Sequence, residues 1–103
     1  MDDEANAELP PTLDIPIEPP LKLKGAEYAV LSLREPQAIE VQKAETHLRQ
    51  PSMDKMRAYQ INLVAQVSGL PEPVVGCLRI STLRTAMDYL EGFIKGSRPT
   101  IPN

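Results

Sequence analysis

The chain has 103 residues, 42% of them hydrophobic, and a net charge of −3, which suits one small domain and excludes two. Its one cysteine and one histidine exclude an intrachain disulfide and a structural zinc site built from this chain alone. No apolar run approaches the ~20 residues of a transmembrane helix, and the acidic start is unlike a secretory signal. The sequence therefore indicates a cytoplasmic protein without a membrane segment.

The charge is unevenly distributed along the chain. The first 21 residues contain six acidic residues and no basic one, whereas all eleven basic residues follow. We predict a disordered, acidic, proline-rich tail over 1–20, a single α+β domain over 21–96 and a flexible C-terminal tail over 97–103. Because residues 1–14 offer little to bury, their deletion is expected to leave the melting temperature nearly unchanged.

A β-hairpin is predicted at the start of the domain. Leu21–Lys24 alternates apolar and basic residues, and Tyr28–Leu33 is rich in strand-forming residues. Gly25–Glu27 is the predicted turn, while the proline-rich segment 15–20 is predicted to be extended but not an inner strand. Two strands alone are marginal in water, so the hairpin must pack on helices or on another chain.

Two helices are predicted to follow the hairpin. Pro36 ends the second strand and suits the first turn of a helix over 37–48. Its predicted inner face consists of Ala38, Val41, Ala44 or Glu45, and Leu48. The second helix is predicted to start after Ser52 as N-cap and to end at Gly69. Its apolar stripe contains Met53, Met56, Ile61, Leu63, Val64 and Val67.

Two further helices complete the prediction. A short one over Pro73–Leu78 turns Val74, Val75 and Leu78 inwards. The last helix is capped by Ser81 or Thr82 and ends at Gly96. Its stripe contains Leu83, Ala86, Met87, Leu90, Phe93 and Ile94. The predicted fold is α+β, with an N-terminal β-hairpin packed on a small bundle of about four helices.

The sequence lacks the usual patterns of a catalytic or cofactor site. His47 is best explained as a surface residue near a helix C-terminus, and Cys77 as a small buried hydrophobe. The acidic residues show no paired arrangement, and the five glycines form no phosphate-binding loop. We predict no enzyme activity, no cofactor and no metal.

A DNA-binding interpretation is the alternative. Residues 63–90 can be arranged as a helix–turn–helix, with Ser81 and Arg84 at the head of a recognition helix. However, Asp88 and Glu91 lie on the same helix, and its basic residues form no dense stripe. The first hypothesis is therefore a protein without a nucleic-acid partner. A small DNA-binding regulator is the second hypothesis.

A series of short motifs resembles a known family. After the hairpin come Leu31–Pro36 (LSLREP), Ile61–Ala65 (INLVA), Ser68–Pro71 (SGLP), the Val74–Val75 turn and the closing Phe93 helix. Over about residues 20–95 this order resembles the Mu-like phage tail assembly proteins, the tail assembly chaperones of long-tailed phages and prophages. None of the motifs is catalytic, so the resemblance transfers no active residue.

The resemblance implies a protein that binds the tape measure protein before the tail tube polymerises around it and does not remain in the finished tail. Self-association would suit a chaperone needed in many copies along one long partner, and a structural subunit retained in the virion is a third hypothesis. Large apolar side chains near helix ends are the best candidates for contact with a helical partner. We therefore predict partner binding by Met53, Met56, Phe93 and Ile94.

Overall fold

The computed structural model describes residues 9–49 and 53–95, with the backbone alone for residues 53 and 54. In chain order the elements are β1 (Thr12–Leu23), β2 (Ala26–Arg34), α1 (Ala38–Glu45), a 3₁₀ turn (Thr46–Leu48), α2 (Met53–Ser68), α3 (Glu72–Gly76) and α4 (Ile80–Ile94). The strands form one antiparallel hairpin, and one face of it packs on the helices. The predicted α+β fold is confirmed.

The first strand is longer than predicted, since β1 begins at Thr12 rather than at Leu21. Leu13 pairs with Leu33 and thus belongs to the hairpin. The prolines of this segment argue against an inner strand, but β1 lies at a sheet edge, where an absent N–H removes no necessary ladder bond. The part of the predicted tail from Thr12 onwards is therefore a strand, while residues 1–8 and 97–103 lie outside the described residues.

The pairing register shifts in the middle of the hairpin. Pro16 lies opposite Val30, whereas Leu21 lies opposite Tyr28, so β1 has the longer intervening segment. This β-bulge holds Pro19 and Pro20. Since a bulge interrupts ladder pairing, it accommodates prolines that a regular strand would exclude.

The hairpin turn lies one residue earlier than predicted. It consists of Lys24 and Gly25, whose φ angles are 51° and 83°. Two consecutive positive φ values are what a type I′ turn requires, and that turn matches the twist of the flanking strands. Glycine meets this requirement without steric conflict.

The helices largely agree with the prediction. Together α1 and the 3₁₀ turn cover the predicted helix over 37–48. Gly69, with φ 79°, ends α2, and its N–H donates to the Ala65 carbonyl oxygen at 2.9 Å. The predicted cap of α4 is wrong: Arg79 is the N-cap, so Ser81 already lies within the helix. The predicted cap of α2 and the predicted end at Gly96 fall outside the described residues.

The core lies between the inner face of the hairpin and the helices, and α1 contributes Ala44, which is 0% exposed, as predicted. Its fully buried large side chains are Leu31, Leu33, Leu63, Val64, Val74, Val75 and Leu90. Tyr59 and Tyr89, which the predicted stripes omit, are also buried, whereas Met56 is 43% exposed. The interpretation of Cys77 as a buried residue is wrong, since its side chain is exposed at the end of α3.

Leu9 and Pro10 dock on α4 ahead of the first strand. The Tyr89 hydroxyl donates to the Pro10 carbonyl oxygen at 2.6 Å. Leu9 packs against the core over Gly92, where a Cβ would lie only 2.7 Å from the leucine Cδ1. Residues 9–14 therefore contribute to the packing, and these contacts argue against the expectation that loss of residues 1–14 leaves stability unchanged.

Candidate partner-binding groove

A groove of about 390 Å³ lies between α1 and the C-terminal end of α4. In the described part of the chain, its walls combine apolar side chains with a few polar ones and contain no basic residue. The lining residues are Glu35, Pro36, Ala38, Val41, Gln42, Glu45, Phe93 and Ile94. We call this the α1–α4 groove.

The α1 wall follows from helical spacing. Ala38, Val41, Gln42 and Glu45 occur at the i, i+3, i+4 and i+7 positions, so they lie along one face of α1. Val41 is half-buried, but Ala38, which we predicted to face the core, is exposed. Small and polar side chains on this face leave space beside α4, and that space is the groove.

The α4 wall is held in place by an aromatic pair. Phe93 packs edge-to-face on Tyr89, with ring centroids 5.2 Å apart and an interplanar angle of 89°. Tyr89 is fixed in turn by its hydrogen bond to Pro10. The contact made by the N-terminal segment thus supports the Phe93 ring in the groove.

Glu40 fixes the start of α1. Its carboxylate accepts two hydrogen bonds from the Arg34 guanidinium, at 3.0 and 2.7 Å, and a third from the Gln37 backbone N–H at 2.8 Å. The pKa of Glu40 is lowered below its usual value mainly by the hydrogen bonds from Arg34. Gln66 of α2 donates to the Glu40 carbonyl oxygen at 3.0 Å. The α1 wall is therefore tied to both the hairpin and α2.

The charges of the groove are acidic. Glu35 precedes α1 and Glu45 is its last residue, and both are exposed. Burial raises the pKa of the Tyr89 hydroxyl, and the negative charge of Glu35 raises it further. Burial likewise raises the pKa of Tyr59, with smaller contributions from Glu91 and Glu45. An acidic side chain thus lies towards each end of the groove.

Residues 14–95 match the model of a family described as phage tail assembly chaperone proteins, E, or 41 or 14. The chain belongs to this family. The predicted resemblance is confirmed, and the role of the protein is in phage tail assembly. A search of curated proteins and a search of solved structures gave no match. Both walls of the α1–α4 groove lie within the residues that match this chaperone family.

The groove brings together two of the four residues predicted to bind a partner of this chaperone. Phe93 and Ile94 are half-buried and form its α4 wall. Met56 is exposed but is not a lining residue, and Met53 is the first residue of α2, where the side chain is not described.

Glu40 and Tyr89 support the site but were not among the predicted residues. Glu40 lies three residues after the N-cap Gln37, which is the spacing of a capping box, but Gln37 is not one of the residues of that sequence signature. The carboxylate was therefore not indicated by the usual pattern. No local pattern indicates Tyr89, because its contact with Pro10 joins distant parts of the chain.

Other kinds of site have little support from the geometry. Among residues 9–49 and 53–95, no cluster of three or more His, Cys, Asp or Glu side chains could hold a metal ion. In the same part of the chain, no helix is long and apolar enough to cross a membrane. At the head of α4, Ser81 and Arg84 are exposed, but so is Asp88 two turns along. A chaperone family is associated with binding rather than with catalysis.

Proposed function

We propose that this chaperone binds the tape measure protein in the host cytoplasm during tail morphogenesis, without catalysing a reaction. The contact is made in the α1–α4 groove, and Phe93 and Ile94 are its main apolar residues. The observation that carries the proposal is an open groove with half-buried apolar walls, within the segment that defines family membership.

The chemistry of the groove suits a helical partner. Amphipathic helices bind proteins by laying apolar residues at i, i+3, i+4 and i+7 into a groove between other helices. The volume of about 390 Å³ accommodates a few such side chains. Contact would remove the exposed parts of Val41, Phe93 and Ile94 from water, a gain of about 25 cal/mol per Å² of apolar surface.

A small groove also suits a temporary complex. A tape measure protein without its tail tube exposes apolar helical surface, and contiguous surface of this kind promotes aggregation. Interfaces that bury little area are typically weak and transient. The chaperone can therefore cover the partner before the tube forms and leave afterwards, so it is absent from the finished tail.

The test is co-expression of this protein with the tape measure protein of the same phage, with the affinity tag on the tape measure protein. We expect the chaperone to be captured and to keep its partner soluble. Ile94→Ser places a hydroxyl in the groove and should abolish capture. Ile80→Ser is the matched control, because Ile80 is 49% exposed at the opposite end of the same helix.

The outcomes separate the site from the function. If the Ile94→Ser and Ile80→Ser variants are both still captured, the contact lies outside the groove. Met56→Ser then tests Met56, the other exposed candidate. Failure of the wild-type protein to bind, although it is folded, would contradict tape measure binding. Purified tails that contain the chaperone would contradict its release.

A further inference from the structure

We infer that the α1–α4 groove binds an amphipathic helix with a basic residue at each end of its apolar patch. This inference rests on the proposed function and specifies which segment of the partner is bound. Its basis is the distribution of charge around the groove.

The acidic groups at the groove are not neutralised by neighbouring basic side chains. Arg34 is next to Glu35 in sequence, but its guanidinium binds Glu40 instead. Lys43, two residues before Glu45, is exposed and forms no ion pair with it in the described part of the chain. At the α4 end, Lys95 pairs with Glu91 at 3.4 Å. Within the described chain, Glu35 and Glu45 have no ion-pair partner. A basic partner would therefore supply counter-charges that the described residues do not.

The positions of these two carboxylates set a spacing. Glu35 lies just before α1 and Glu45 ends it, so they flank the helical wall at opposite ends. Eight residues of helix extend about 12 Å at ~1.5 Å per residue. Because Glu35 lies three residues before this helix, a partner helix along the wall would need its Lys or Arg residues at least two turns apart to reach both carboxylates.

The apolar surface lies between the two acidic positions. Pro36, Val41, Phe93 and Ile94 all contribute to it. A partner helix would therefore have its large apolar residues at the i+3 and i+4 positions between the basic ones. This pattern distinguishes the bound segment from amphipathic segments that have acidic or neutral residues next to their apolar residues.

Binding of this kind depends on salt. Charges at the edge of an interface mainly raise the association rate, and salt screens them over roughly 10 Å at 0.1 M. Replacing both carboxylates by amides preserves shape and removes the attraction. Glu35→Gln/Glu45→Gln should therefore weaken binding about five- to tenfold at low salt and have little effect at high salt.

The experiment uses overlapping synthetic peptides of about six helical turns that cover the tape measure protein. Fluorescence anisotropy measures their binding to the full chain at about 0.05 M and about 0.5 M salt. We expect the binding peptides to contain the basic–apolar–basic pattern. The control is Glu18→Gln/Glu27→Gln, which makes the same charge change at exposed positions of the hairpin.

Each result decides one of the two claims. Peptides that bind without basic residues, or equal behaviour of the two double variants, would overturn this inference and leave tape measure binding intact. If neither the peptides nor the whole tape measure protein binds the wild-type chain, the proposed function fails together with it.

Discussion

The two parts of α4 carry similar apolar side chains in different surroundings. From Leu83 to Leu90 its apolar residues face α2 and the hairpin, and Leu90 is 0% exposed. In the last turn Phe93 and Ile94 face α1, where the small Ala38 and the polar Gln42 leave the groove open. An apolar stripe therefore does not by itself distinguish a buried core face from the wall of an open groove. The difference comes from the side chains on the opposing element.

The largest effect on stability should come from substitutions of buried core residues. Leu90→Ala in α4 and Leu63→Ala in α2 both remove a fully buried side chain. Each should lower the free energy of unfolding by about 2–5 kcal/mol, because apolar contact is lost and a cavity remains. Urea denaturation measures this. A change below ~0.5 kcal/mol would place the residue at the surface.

A second comparison concerns the N-terminal segment that supports the groove. Deleting residues 1–14 removes the packing of Leu9, the Pro10 hydrogen-bond acceptor and the pairing of Leu13. We expect a loss of about 2 kcal/mol, which lowers the melting temperature by about 10 °C in a domain of this size. Deletion of 1–8 retains these contacts and is the control. Equal melting temperatures for both deletions would contradict the docking of Leu9.

The carboxylate that ties α1 in place should have a smaller, pH-dependent effect. Glu40→Gln should cost about 1 kcal/mol at neutral pH, since Arg34 is 43% exposed and solvent weakens the pair. Because the pKa of Glu40 is lowered in the folded protein, its contribution is present above the unfolded pKa and is lost as pH falls through the folded value. Urea unfolding from pH 7 to 3 should show the wild-type and variant stabilities converging. A constant difference would assign the effect to packing.

The smallest change in stability should come from the groove. Ile94→Ser should lower the free energy of unfolding by about 1 kcal/mol or less, because Ile94 is only partly buried at the edge of the core. The tape measure protein should nevertheless no longer capture the Ile94→Ser variant. If the variant loses much stability while its folded fraction still binds, Ile94 belongs to the core and not to the binding surface.

The sequence predicted the helical part of the fold better than the hairpin. Helix signals are local, so Gly69 and the stripe around Leu63 were sufficient to place α2. Strand pairing joins distant residues, and the start of β1 at Thr12 depends on its pairing with Arg34. The prolines argued against this pairing, because a strand accommodates prolines only at a bulge or at a sheet edge, and neither feature can be read from the local sequence.

The groove was only partly predictable for the same reason. Large apolar residues near a helix end identified Phe93 and Ile94 as candidates. The opposite wall depends on how α1 packs, which its local pattern misjudged at Ala38. Tyr59 and Tyr89 show a related limit, since burial of their rings depends on neighbours from other elements.

The docking of Leu9 on Gly92 also affects how the protein can be engineered. It brings Leu9, where the described chain starts, beside the last turn of α4, so both ends of the described chain lie on the same side of the fold as the groove. The Lys24–Gly25 turn is separated from Glu35 by the nine residues of β2, about 30 Å of strand. Its glycine also has open space around it. A label or a short peptide inserted at this turn should therefore report on the chaperone without obstructing its partner.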